Sequence, residues 1–88
     1  MTRQANKLDS ILNSFPDEDF MLIDGFDDAV IGVDTDCVRL VYDVSKMVEI
    51  LCEGGMDEDE AVDYFEYNVA ASVPYSNDAP ILIYTDFF

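Results

Sequence analysis

The stretch CVRLVYDVSKMVEILCEGG, residues 37–55, predicts a strand that leads directly into a helix. Its first six residues, 37–42, alternate with the period of two that is typical of a strand. One face of that strand is apolar and consists of Val38, Leu40 and Tyr42. Asp43 follows as a candidate helix N-cap, because an Asp side chain accepts a hydrogen bond from a free backbone N–H of the first turn. The helix is expected to end at Gly54 and Gly55, since glycine commonly closes a helix.

The segment before this strand predicts one helix and two further strands. Apolar residues recur at helical spacing from Leu8 to Phe15, which predicts an amphipathic helix that ends before Pro16. The apolar runs FMLID (20–24) and AVIGV (29–33) are expected to form a hairpin around GFDD. DTD (34–36) then makes a second turn into the strand at 37–42.

The segment after Gly55 predicts a second helix and a final strand. Asp57 and Glu60 fit a capping box, and the helix is expected to reach about Ser72 before Pro74 blocks it. ILIYTDFF (81–88) reads as the final strand. The order α-βββ-αα-β predicts an α+β fold whose three-stranded meander is antiparallel. We expect a single domain over 1–88, with an N-terminal helix and acidic loop (1–19) and an α+β core (20–88).

The charge of the chain restricts its partners. Twenty Asp and Glu against four Lys and Arg give a formal charge of −16, whereas a magnitude of about 2–8 suffices to keep a small domain soluble. Nucleic acid and anionic membranes would repel such a chain, so we expect neither direct nucleic-acid binding nor membrane association. No apolar run has the length of a membrane span, and the N-terminus lacks the apolar region of a signal peptide, which favours a cytoplasmic location. A basic protein surface is the partner that this charge favours.

The acids of GGMDEDEAVDYFEYN (54–68) have two interpretations. Carboxylates at 57–60 cap the helix and favour its dipole by about 0.3–1 kcal/mol each. Asp59, Asp63 and Glu66, at i, i+4 and i+7, instead repel one another by about 0.2–0.5 kcal/mol per pair, and no basic residue interleaves. Their spacing of roughly 5–6 Å is close to that of phosphates along a nucleic-acid strand. We therefore predict a partner-binding set that extends beyond this helix: Asp17, Glu18, Asp19, Asp34, Asp36, Asp57, Glu58, Asp59, Asp63, Glu66 and Tyr67.

Catalysis and metal binding find little support in the sequence. The chain has no His, no nucleophile elbow, no P-loop and no dinucleotide fingerprint. The calcium-loop pattern fails from Asp17 and from Asp24, because apolar residues occupy ligand positions. Cys37 and Cys52 are expected to be reduced thiols and cannot form a zinc site on their own. We expect no enzyme activity, no cofactor and no metal.

Several segments together resemble a family of small, functionally unassigned proteins encoded by tailed bacteriophages. The resemblance covers Met21 to Tyr84 and is carried by DGFDDAVIGV (24–33), the helix led by Asp43, EAVDYFEYNV (60–69) and API (79–81). It implies a phage protein that acts in the host cytoplasm, and it supplies no catalytic residue. It also implies that some polar residues are structural, namely Asp24, Asp27, Asp28, Glu66 and Asn68.

Three functions remain open at this point. The first is an acidic inhibitor that binds a basic nucleic-acid-handling host protein by charge mimicry, since small phage inhibitors of CRISPR effectors and restriction enzymes resemble the chain in size and charge. The second is a phage accessory or assembly protein that uses apolar contacts, through the N-terminal helix or through ILIYTDFF, which also leaves a homodimer open. The third is a small-ligand-binding protein, which the acidity disfavours.

Overall fold

A computed structural model describes residues 7–36, 38–73 and 79–86. Its helices and strands confirm the α+β class. In chain order they are α1 (Lys7–Ser14), β1 (Val30–Val33), β2 (Leu40–Asp43), α2 (Val44–Glu53), α3 (Glu58–Tyr64) and β3 (Ile81–Ile83). A π-helical segment, Phe65–Val69, continues α3, and 3-10 turns lie at Asp27–Ala29 and Ala70–Ser72.

The sheet has the order β1-β2-β3, with β2 in the centre. β1 and β2 are antiparallel, and a bulge between Val30 and Gly32 leaves Ile31 without an opposite residue. β2 and β3 are parallel, with Tyr42 opposite Leu82. The predicted antiparallel arrangement is therefore only partly right. A parallel neighbour needs a long crossover connection, and here that connection contains both α2 and α3.

Residues 20–24, predicted as the first strand, are not a strand. The chain turns there instead, and the N–H of Phe26 donates to the carbonyl of Ile23 across 3.3 Å. Gly25 occupies the third position of this turn with φ +87°, as a type II turn requires. The 3-10 turn at Asp27–Ala29 follows directly. The predicted hairpin around GFDD is therefore wrong, because these four residues lead from one turn into another.

The hairpin that joins β1 to β2 is closed at Asp34, whose N–H donates to the carbonyl of Arg39 across 2.7 Å. This agrees with the turn predicted at 34–36. The strand expected over 37–42 begins only at Leu40. Cys37 lies outside the described residues, and Val38 has φ +53°, a left-handed conformation that a strand cannot contain.

Both predicted helices after β2 are confirmed at their starts. The Oδ1 of Asp43 accepts from the backbone N–H of Ser45 across 2.9 Å, and the N–H of Gly54 ends α2 by donating to Ile50 and Leu51. The second helix runs to Ser72 as expected. It does not keep α-helical geometry, because Phe65–Val69 is π-helical and Ala70–Ser72 is a 3-10 turn.

The core lies between the sheet and the helices. Its largest fully buried side chains are Tyr42, Leu40, Met47 and Val44. Helix α1 adds Leu8 and Ile11, while α3 and the π segment add Ala61, Phe65 and Val69. Within the described residues no polar or charged residue other than Tyr42 is buried. All the described carboxylates therefore lie at least partly at the surface.

Candidate acidic interface

The first turn of α3 uses two of its carboxylates for its own start. The side chain of Asp57 accepts from the backbone N–H of Glu60 across 2.8 Å, and the carboxylate of Glu60 accepts from the backbone N–H of Asp57 across 3.3 Å. This is the predicted capping box. Asp57 therefore has a structural role that does not require a partner.

The other acids of this helix point into solvent. Glu58, Asp59 and Asp63 on α3 are exposed, as is Glu66 in the π segment. Tyr67 follows them with 78% of its surface exposed, although a tyrosine ring usually finds an apolar contact. We call these five residues, Glu58, Asp59, Asp63, Glu66 and Tyr67, the acidic face. No basic residue occurs anywhere between Gly54 and Asn68.

The π segment changes the geometry of the acidic face. Asp59 and Asp63 both lie within α3 and keep the i, i+4 relationship of an α-helix. Glu66 and Tyr67 lie in the π segment, where i to i+5 bonding widens the turn. The row of acids expected at i, i+4 and i+7 is therefore not a regular α-helical row beyond Asp63. Single π turns inside α-helices occur frequently at functional sites.

The remaining predicted acids lie on other elements. Asp17, Glu18 and Asp19 are exposed in the loop after α1. Asp34 and Asp36 belong to the β1–β2 hairpin, and Asp34 forms an ion pair with Arg39, with 3.4 Å between Oδ2 and Nη2. None of these five acids belongs to the acidic face.

Two of the three described basic side chains form ion pairs away from α3. Arg39 pairs with Asp34 as above, and the Nζ of Lys46 lies 3.3 Å from a carboxylate oxygen of Glu49 within α2. Lys7 is exposed at the start of α1, and Arg3 lies outside the described residues. Neither of the two ion pairs neutralises a carboxylate of the acidic face.

Two grooves adjoin the acidic face and share Tyr64 and Asn68 in their walls. The smaller groove, about 350 Å³, also contacts Glu60, Asp63 and Tyr67. The larger, about 510 Å³, has residues 21–26 as its opposite wall and Ile50 and Leu51 among its lining residues. We call the larger one the Leu22 groove. The structure thus brings Asp63 and Tyr67 together in the smaller groove, next to the Leu22 groove.

The wall of the Leu22 groove that residues 21–26 form is attached to the core through Tyr42. The phenolic oxygen of Tyr42 accepts the backbone N–H of Ile23 across 2.9 Å. Burial raises the pKa of the Tyr42 hydroxyl above its usual value, and the nearby charge of Asp27 raises it further, whereas the bond from Ile23 lowers it. The hydroxyl therefore stays neutral at physiological pH.

The sequence-based prediction missed the groove residues Met21, Leu22, Tyr64 and Asn68 as a set. Residues 20–24 were expected to be a strand, which would have placed alternate side chains in the core. The dipeptide Asp24-Gly25 is a turn signal that was available. The position of Asn68 in the same groove as this turn leaves no such signal, because it depends on packing between distant parts of the chain.

Across 7–36, 38–73 and 79–86, no three acidic, His or Cys side chains converge as metal ligands would. In the same ranges no helix combines the length and the apolar composition needed to cross a bilayer. Cys52 is a half-buried free thiol beside Glu49 and Glu58.

Comparisons with known proteins add no relative. No family model matches the chain, and no curated protein or solved structure gives a significant match.

Proposed function

We propose that this chain is a phage-encoded acidic inhibitor that binds a basic nucleic-acid-handling protein of the host, of the CRISPR-effector or restriction type, and occludes its nucleic-acid site. The observation that carries the proposal is the acidic face, where four exposed carboxylates lie along one helix without a basic residue among them. A solvated helix usually mixes charges of both signs. The excess charge has a cost in self-repulsion, which a basic partner would relieve.

The mechanism is charge mimicry. Carboxylates of the acidic face take the places of phosphates opposite Lys and Arg of the partner, and the net charge of −16 steers the two proteins together. Tyr67 supplies an amphipathic side chain at the centre of the contact, where aromatic residues are enriched in interfaces. Such a complex weakens as salt is added, because the attraction is screened.

An inhibitor of this kind performs no catalytic step and needs no cofactor. Its site of action is the host cytoplasm, where the target functions, and neither nucleic acid nor membrane is a direct partner. The capping acid Asp57 contributes charge but is held by its bond to Glu60, so it ranks below Asp59 and Asp63 as a contact. The loop acids 17–19 and Asp36 are exposed on other elements and add to the overall negative charge.

The test is an affinity capture from nuclease-treated host lysate, followed by competition with nucleic acid for the purified target. Asp63→Lys should reduce capture strongly, whereas the matched control Glu53→Lys changes the net charge equally at the exposed end of α2 and should have little effect. Equal loss in both variants would indicate a diffuse charge effect. A captured protein that binds its nucleic acid undisturbed would contradict occlusion.

A second candidate function, an accessory or assembly protein with apolar contacts, is favoured by the sheet edge. β3 has β2 on one side and no other described strand on its second side, and Ile83 and Tyr84 near its end are exposed. Such an edge can pair with a partner strand or with a second copy of the chain. Capture that survives high salt and is lost on Ile83→Lys would favour this candidate.

A further inference from the structure

The Leu22 groove is open, and its lining combines apolar side chains with polar groups. Large hydrophobic side chains at its walls are exposed to solvent: Leu22 to 49%, Tyr64 to 41% and Met21 to 37%. Tyr67, at 78%, borders the adjoining smaller groove. Exposed apolar side chains that gather around one depression are typical of a binding surface.

The wall formed by residues 21–26 is held in place before any partner binds. The type II turn at Gly25 and the bond from Ile23 to buried Tyr42 fix its backbone at two points. Binding to a preformed groove avoids the entropic cost of ordering the chain. The volume of about 510 Å³ falls within the range of roughly 300–1,000 Å³ that is usual for ligand sites.

The charges around the grooves select the occupant. Asp24 lies in the wall of the Leu22 groove, and Glu60 and Asp63 line the smaller groove that shares Tyr64 and Asn68 with it. Among the residues that the structure describes, none that lines either groove is basic. An anionic lipid or a second copy of this chain would bring further negative charge to these carboxylates, and both are therefore disfavoured.

We propose that the Leu22 groove receives an apolar side chain from a polypeptide segment in which Lys or Arg residues flank that side chain. The inference rests on the proposed function and specifies its partner: the basic flanks face Asp24 and Asp63, and the apolar residue inserts beside Leu22 and Tyr64. Binding is then divided between two surfaces. The acidic face determines the rate of encounter, and the groove holds the partner once it has arrived.

The experiment uses two synthetic peptides in which lysines flank either a central leucine or a central serine. Fluorescence polarisation should give the leucine peptide an affinity about tenfold higher, as expected for burial of most of one leucine side chain. The salt dependence should be the same for both peptides, because their charges are equal. Amide shifts in NMR spectra should concentrate at 21–26 and around Asn68.

Two variants test whether the preference for the leucine peptide arises in the Leu22 groove. Leu22→Ser should remove the preference for the leucine peptide, whereas Leu12→Ser, at a similarly exposed leucine of α1 outside the groove, should keep it. Equal affinity for both peptides, or a preference that survives Leu22→Ser, would overturn the inference. A dimer that Leu22→Ser dissociates would also overturn it, since a second copy would then be the occupant.

The outcomes separate the inference from the proposed function. The two peptides could bind with equal affinity and with a steep salt dependence that Asp63→Lys abolishes. The groove would then not belong to the interface, whereas charge mimicry would still stand. A leucine preference without any salt dependence would instead contradict charge mimicry, and with it the basic flanks of the partner.

Discussion

The phenolic oxygen of Tyr42 lies 2.9 Å from the backbone nitrogen of Ile23 and accepts its hydrogen bond. Tyr42 is fully buried in the central strand β2, whereas Ile23 belongs to the turn that forms the wall of the Leu22 groove. One side chain of the core thus positions a segment that makes no strand of its own.

Replacing Tyr42 with Phe should lower the free energy of unfolding by about 1–2 kcal/mol. The substitution keeps the ring but leaves the half-buried N–H of Ile23 without its acceptor. Urea unfolding measures the loss, and NMR should show shifts that spread through residues 21–26. Tyr67→Phe, at a largely exposed ring, is the matched control and should leave stability unchanged. An unaltered spectrum of the turn in Tyr42→Phe would show that the bond does not hold the wall.

The same hydroxyl predicts a loss of stability at alkaline pH. Burial raises the pKa of Tyr42 in the fold, so above pH about 10 the unfolded chain loses this proton while the folded chain keeps it. The stabilising contribution of the Tyr42 hydroxyl is fully present below the pKa that this group has in the unfolded chain. It is lost as pH rises through the higher pKa that the group has in the folded protein. The stability difference between the native protein and Tyr42→Phe should therefore shrink above pH about 10. Urea midpoints measured across this range provide the test, and a constant difference would contradict it.

The capping box predicts unequal effects for two neighbouring acids. Asp57→Ala should destabilise the protein by about 0.5–2 kcal/mol, because the N–H of Glu60 loses its acceptor. Asp59→Ala removes the same charge from the same turn, but Asp59 has a like-charged neighbour at Asp63. Its loss should change stability by no more than about 0.5 kcal/mol. Equal destabilisation by both would mean that charge near the helix dipole matters more than the cap.

The backbone of Val38 predicts that glycine is tolerated there. Val38 has φ +53°, and this conformation costs a non-glycine residue about 1–2 kcal/mol. Val41 is half-buried like Val38 but lies within β2, paired to β1 and β3. Thermal unfolding should therefore show Val38→Gly to be less destabilising than Val41→Gly by about 1–2 kcal/mol. Equal losses would argue against strain at Val38.

Self-repulsion predicts that salt stabilises the protein. Sodium chloride should raise the melting temperature, because screening weakens repulsion among twenty acids. Replacing Asp59 and Asp63 with Asn should raise the melting temperature at low salt, since each like-charged pair costs about 0.2–0.5 kcal/mol. This increase in melting temperature should be smaller at high salt. A melting temperature independent of salt would show that the carboxylates are too well separated to act as a dense patch.

The local elements of this protein were predictable from its sequence. The N-cap at Asp43, the capping box at Asp57 and Glu60, the end of α2 at Gly54 and the turn after Asp34 all depend on interactions between residues close in sequence. The exposed charge of α3 follows from its pattern in the same way, because its apolar side must face the core. The exposed carboxylates of the acidic face could therefore be predicted almost entirely from the sequence.

The tertiary structure determined the direction of β3, the role of residues 20–24 and the π segment. A short apolar run looks alike whether it pairs as a strand or packs as a turn. Residues 21–24 became part of a groove wall because Ile23 bonds to a side chain nineteen residues away rather than to a neighbouring strand. β3 is parallel because two helices return the chain to the end of the sheet where β2 begins. The sequence therefore determined where the negative charge is displayed, and long-range packing determined the groove beside it.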